Sequence, residues 1–223
     1  MKARLLIQAM VKYLSGLLIV GLLLFLPAGT MHYWNAWLLI GALFIPMLFM
    51  GAILLVKSPD LLAKRLKSNE TEREQKRVIR LSAMMFIGGM IASALDFRFV
   101  WSNMPSWVSL AAAAVLLIAY GLFAEVMREN AYLSRTIEVQ EGQCIVDTGL
   151  YGIIRHPMYS ATLFLFLSIP FVLGSFYAFF IFMLYPFLLG KRILNEEAVL
   201  RGSLPGYVAY MEKVRYRVIP FIW

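Results

Sequence analysis

Arg155, His156 and Tyr159 bring a guanidinium, an imidazole and a phenol into one short stretch, and Arg192, Glu196 and Glu197 add a second cation and two acids further on. The first group lies in Gln140–Tyr159, QEGQCIVDTGLYGIIRHPMY, between two long apolar blocks. Asp147-Thr148-Gly149 reads as a turn, and Gly152 loosens the backbone ahead of Arg155-His156-Pro157. Pro157 suits the first position of a helix, where its missing N–H is no loss, and it pushes His156 out of the helical conformation. His156 is therefore expected at the mouth of the next apolar helix, with Tyr159 about one turn inside it on roughly the same side. Ionic and hydrogen-bonding groups gathered where lipid meets water can hold a polar ligand. The same residue types also act as plain interfacial anchors, because Arg, His and Tyr settle at headgroup level.

The second group permits two readings as well. Arg192 and Glu196 are four apart, as are Glu197 and Arg201. That spacing makes ordinary helix-surface ion pairs, worth about 0.2–0.5 kcal/mol each. Adjacent acids diverge by about 100° on a helix, so one can turn inward while the other stays with water. Beyond them, Tyr207, Tyr210 and Tyr216 interleave with Lys213, Arg215 and Arg217, a pattern that also fits a membrane-surface segment.

The elements that must position these residues are membrane helices. Of the 223 residues, 61% are hydrophobic and 15% charged, and the mean hydropathy is +0.74. Soluble domains carry roughly a quarter charged residues. The net charge of +8 does not indicate a nucleic-acid partner, because the charges occupy the ends of apolar runs. A single cysteine, Cys144, and two histidines exclude an internal disulfide and offer no metal site. No GxGxxG pattern stands between a strand and a helix, so a Rossmann-type domain is unsupported.

Taken in order, Lys2, Arg4 and Lys12 precede an apolar run at Tyr13–Leu26, read as a first span rather than a cleaved signal peptide because no A-x-A site follows. Trp34–Val56, Leu81–Phe97 and Trp107–Met127 are further spans, the first of them carrying Pro46 as an expected kink. Between them, Lys57–Arg80 is polar, and Ser58-Pro59-Asp60 marks a helix start for a piece lying on the membrane surface or in a solvated loop. Asp96 is expected to pair with Arg98, and Glu125 with Arg128. After the central stretch, Pro157–Leu173 and Phe176–Gly190 form a short hairpin that either crosses or only enters from one side. Lys191–Trp223 is expected to form a helix, a Pro-Gly turn and a second helix. The fold expected is thus an all-α polytopic membrane bundle of about five to six membrane helices, divided into 1–127 and a C-terminal core 128–223. Of the 21 basic residues, all but Arg98 fall on one side of this topology, so both termini, the central stretch and the tail are expected in the cytoplasm. The membrane is the cell membrane in a prokaryote or the endoplasmic reticulum in a eukaryote.

GLYGIIRHPMY, a short hydrophobic hairpin, RILNEEAVL and LPGYVAYMEKVRYRVIPFIW, in that order, resemble the isoprenylcysteine carboxyl methyltransferase family over residues 130–223. SPDLLAKRLK also looks like that family's first cytoplasmic loop. The resemblance implies a cytoplasmic pocket for S-adenosylmethionine and a lipidic or prenylated small-molecule or peptide substrate arriving from the bilayer. It implies that Gln140, Gln143, Cys144, Ile145, Val146, Tyr151, His156, Pro157, Met158 and Tyr159 enclose the cofactor, with Glu196 binding it. It implies that Arg192 meets the substrate carboxylate, with His156 and Tyr159 shaping the reaction site. At 143 this chain has Gln where the family often has His. Methylation of a phospholipid amine, an NADPH-dependent sterol-type reductase and a non-enzymatic membrane scaffold are the competing readings.

Overall fold

The computed structural model describes residues 2–66, 73–134 and 139–223, and among these it is all-helical, without strands. Part of the polar stretch between the second and third spans, residues 67–72, lies outside the described residues. Helices α1 (Lys2–Ala28), α2 (Trp34–Lys57), α4 (Arg73–Phe99) and α5 (Ser106–Glu129) contain the four expected spans, and each is long and apolar enough to cross a membrane. They extend beyond the charge-free runs because a helix satisfies its own backbone and its terminal Lys and Arg side chains can reach water. α2 continues through Pro46, and α3 (Pro59–Leu66) starts where the Ser-Pro-Asp signal stands. Many large apolar side chains of α1 and α2 point outward, among them Leu18, Leu26, Phe49 and Val56. Together with these four helices and a fifth apolar stretch of sufficient length, Phe176–Ser203, that outward apolar face is the character of an integral membrane protein.

The expected hairpin consists of α6 (Pro157–Val172), α7 (Phe176–Phe182) and α8 (Tyr185–Ser203). Its second arm differs from the expectation. No break occurs at Gly190; the helix is interrupted at Met183-Leu184, before Pro186, and α8 then runs unbroken into the tail to Ser203. Proline fits the first turn of a new helix, whereas one glycine inside a packed helix costs only about 1 kcal/mol. A turn at Leu204–Gly206, with Gly206 at φ +82, leads into α9 (Tyr207–Lys213), and an extended segment follows.

A polar knot settles how far the hairpin reaches. Its tip, Leu173–Ser175, is held by α2 and by the C-terminal end of α4. Tyr33 donates to the Leu173 carbonyl at 2.7 Å and Asn35 to that of Val172 at 2.8 Å. Ser175 caps α7 by accepting from the Ala178 N–H, and donates its own proton to Asp96. The hairpin therefore runs to the far end of the bundle. Asp96 is buried in this knot and accepts from both the backbone and the hydroxyl of Ser102, at 2.6 and 2.7 Å. The expected pairing with Arg98 gives way to it, and Arg98 reaches across to the Pro27 carbonyl. The main apolar core runs from Val20 to Val218, so the first helix and the extended C-terminal tail share one interior.

Candidate active site

Pro157 occupies the start of α6 and leaves His156 as the cap residue in a non-helical conformation, φ −128, ψ 60. The extended tail fixes this corner. The backbone N–H groups of Arg155 and His156 donate to Tyr216 and Arg217 at 2.9 and 2.8 Å, and Ser160 reaches the Val218 carbonyl at 2.6 Å. Beneath it sits Glu197, 1% exposed. Its carboxylate pairs with Arg155 at 2.8 Å, with Arg217 at 3.0 Å and with Arg201 at 3.5 Å, and lies 3.4 Å from His156 Nε2. Arg155 also donates to the carbonyls of Val214 and Arg215. A carboxylate in a dry interior requires such partners. The result is one rigid junction of α6, α8 and the tail.

Glu196, one residue earlier, leaves α8 toward a cavity of about 110 Å³. Tyr159 donates its hydroxyl proton to Glu196 and accepts from Arg192 Nε at 2.9 Å, so the phenol bridges the two. The simple surface pair expected between Arg192 and Glu196 is thus replaced by a chain through Tyr159, while the Glu197–Arg201 pair forms as one spoke of the buried hub. The two acids part as the helix geometry predicts: Glu197 turns into the interior, while Glu196 stays half-buried at the cavity wall.

Of the residues singled out from sequence, Gln143, Cys144, Ile145, Val146, Tyr151, His156, Met158, Tyr159, Arg192 and Glu196 line this cavity. Gln140 and Pro157 do not. Gln140 braces the loop instead, donating its side-chain amide to the Tyr132 carbonyl at 2.6 Å and its backbone N–H to Gln143 at 2.9 Å. Tyr151 is set by a short 3₁₀ turn, Gly149–Gly152, in which the Leu150 N–H donates to the Glu129 carboxylate at 3.0 Å. Its hydroxyl accepts from Asn130 at 3.0 Å and its carbonyl accepts from Tyr210 at 2.7 Å. Burial pushes the Tyr151 phenol up to about 12.

Sequence reasoning missed Asn130, Tyr132, Leu133, Ser134, Leu200, Leu204, Tyr207 and Tyr210 as lining residues, and treated Arg155 only as part of its motif. Tyr207 and Tyr210 carry a signal, since both follow Gly206 in the tyrosine-rich tail, a pattern that also fits a membrane-surface segment. The others are brought in by tertiary packing. A second, mainly apolar cavity of about 450 Å³ lies between α4, α6 and α8, lined by Phe86, Phe166, Leu188 and Leu189 among others. Tyr159 and Arg192 border both cavities.

Residues 107–202 match the model of the isoprenylcysteine carboxyl methyltransferase (ICMT) family. Among solved structures, the chain is similar to a eukaryotic intramembrane Ras methyltransferase, ICMT, determined without a monobody. The TM-score is 0.56 with 18% sequence identity, covering 92% of this chain and 74% of that one, a likeness of fold. No curated protein matches. The motif order and the matching model point to the same group, the isoprenylcysteine carboxyl methyltransferase family, which this chain resembles over residues 107–202.

Proposed function

We propose that this integral membrane protein transfers a methyl group from S-adenosylmethionine to a carboxylate of a lipidic substrate, in the manner of isoprenylcysteine carboxyl methylation. The observation that carries this reading is the meeting of two unlike cavities, one with mixed polar and apolar walls and one mainly apolar, at Arg192 and Tyr159. The donor set of the smaller cavity suits the cofactor. Glu196 offers a carboxylate to an ammonium group or to ribose hydroxyls, and Ile145, Leu200 and Leu204 give an apolar wall for a purine. The Tyr151 ring can face a sulfonium, a contact worth about 0.5–2 kcal/mol.

When bound, the cofactor supplies a methyl group on a positively charged sulfur, so a carboxylate oxygen–carbon bond forms as the sulfur–carbon bond breaks and its electron pair returns to sulfur. No residue need remove a proton, because a C-terminal carboxylate with a pKa near 3.5 is ionised at neutral pH. Arg192 orients that carboxylate by a two-pronged hydrogen bond, and Tyr159 steadies the guanidinium from behind. His156, held by Glu197 and the tail, shapes the floor without acting as nucleophile. The walls of the larger cavity take the lipid tail from the bilayer and keep water from the carboxylate, so alignment and dehydration supply most of the rate. The pocket and both termini face the cytoplasm in this reading, where the cofactor is made.

Methyl transfer from labelled S-adenosylmethionine to N-acetyl-S-farnesylcysteine, measured on purified protein, tests the proposal. Arg192→Ala should lower kcat/KM by about a hundredfold, the loss of one charge-assisted clamp. Glu196→Ala should instead weaken calorimetric binding of S-adenosylmethionine. Labelling of a phospholipid amine without the carboxylate, or binding of NADPH in place of S-adenosylmethionine, would overturn it.

A further inference from the structure

The smaller cavity contains one polar atom to which the proposed chemistry gives no task. Tyr207 opens α9, is 4% exposed and lines the cavity. Its hydroxyl oxygen is buried and has no hydrogen-bond partner among the described residues. Leaving a hydroxyl so buried and unpaired costs about 1–3 kcal/mol, so native structures rarely keep one without a use.

The contrast with Tyr210, one turn later, is informative. The two rings lie 5.8 Å apart and share one apolar cluster with Leu204 and Val214. Tyr210 spends its hydroxyl on the Tyr151 carbonyl at 2.7 Å, a bond within the protein. The Tyr207 ring is just as firmly seated. Gly206, in the left-handed conformation that turns the chain, approaches Ile145, and the Tyr207 N–H returns to the Leu204 carbonyl. A ring held this well presents its hydroxyl at a fixed point.

The surroundings select what that hydroxyl can meet. Burial, with the charges of Glu197 and Glu196, pushes the phenol above its ordinary value, so it is a neutral donor throughout the physiological range. The same carboxylates disfavour an anionic group there. Leu200, Leu204 and Ile145 supply flat apolar contact. A neutral acceptor on a flat apolar body satisfies all of these conditions.

We infer that Tyr207 is a ligand-binding residue whose hydroxyl donates a hydrogen bond to a ring nitrogen of the cofactor's purine, lodged against Leu200, Leu204 and Ile145. This rests on the reading of the cavity as the S-adenosylmethionine site. It extends the binding machinery past residue 202, where the family match ends, into the tail.

Tyr207→Phe removes the hydroxyl and keeps the ring. Calorimetry on the full chain in detergent should give S-adenosylhomocysteine binding weakened about tenfold, the value of one hydrogen bond. The melting temperature of the ligand-free variant should be unchanged or higher, because the unpaired group is gone. Tyr210→Phe should instead lower it. On the wild type, one of the 1-, 3- and 7-deaza analogues of S-adenosylhomocysteine should bind about tenfold more weakly than the parent, with no further loss in Tyr207→Phe. Equal affinity of wild type and Tyr207→Phe, a fall in ligand-free melting temperature at unchanged affinity, or three deaza analogues as tight as the parent would each overturn the assignment while leaving the methyltransferase reading intact. A folded wild type that binds no S-adenosylhomocysteine would remove that reading, and the inference with it.

Discussion

Neighbouring carboxylates at 196 and 197 leave α8 in different directions because successive helix residues diverge by about 100°. Glu197 enters a dry junction where Arg155 and Arg217 lie within 3.0 Å, whereas Glu196 meets the Tyr159 hydroxyl at a cavity wall. The two therefore fail differently when neutralised. Glu197→Gln leaves the buried Arg155 without its counter-charge, which should cost about 3–5 kcal/mol of stability. Glu196→Gln keeps shape and hydrogen-bonding capacity at a half-buried position and should leave the melting temperature nearly unchanged. Thermal melts of the two variants, each without ligand, check this. Equal destabilisation would show that the hub does not depend on Glu197 as its geometry requires. The adjacency itself was visible in sequence. What was not visible was the destination of each acid, because Arg155 and Arg217 are brought to Glu197 by the fold and not by helical spacing.

At the level of elements, the same distinction recurs. Pro157 announced the start of α6, and the charge-free runs announced the long helices, since both signals are local. The continuation of α8 through Gly190 and the burial of Asp96 are decided by packing between distant segments, and local signals misplace both. Gly88-Gly89 is a middle case, since small residues let another helix approach closely without saying which one. Gly89 supplies the answer, because a Cβ there would stand 2.4 Å from Cε2 of Phe182 on α7, while Gly88 faces open space. Phe182 is itself fully buried and packs edge-on against Phe86, so it has little room to retreat. Gly89→Ala should therefore destabilise the protein by about 1–3 kcal/mol, the usual cost of overpacking, while Gly88→Ala should not. Denaturation of the two variants side by side decides it. Were they equally stable, the α4–α7 contact would have to be looser than the backbone approach implies.

The whole molecule has two unlike ends. At one, the Asp96 knot closes the hairpin tip among hydroxyls and backbone groups, with Arg98 as the local cation. At the other gather α3, the central stretch, α8 and the tail, with the cavity walled by the last three. Arg65 of α3 donates to the Ser134 carbonyl at 3.3 Å, and Lys64 to that of Ala131 at 3.2 Å. Cations from the N-terminal part thereby hold the segment that walls the cavity, and the basic residues doing this are the ones that the positive-inside rule assigns to the cytoplasm. Orientation is testable with the chain as it stands, because its only cysteine, Cys144, is exposed and lies on the cavity rim. A membrane-impermeant maleimide should label Cys144 in inside-out vesicles and spare it in sealed right-side-out ones. S-adenosylhomocysteine should slow the labelling, since the same residue borders the cavity proposed to take the cofactor. Labelling confined to right-side-out vesicles would invert the topology and put the cavity on the side that lacks the cofactor. Unprotected labelling from the expected side would keep the topology and separate Cys144 from the bound ligand. The two halves of the experiment thus read the charge asymmetry of the molecule and the contents of its cavity through one sulfur atom.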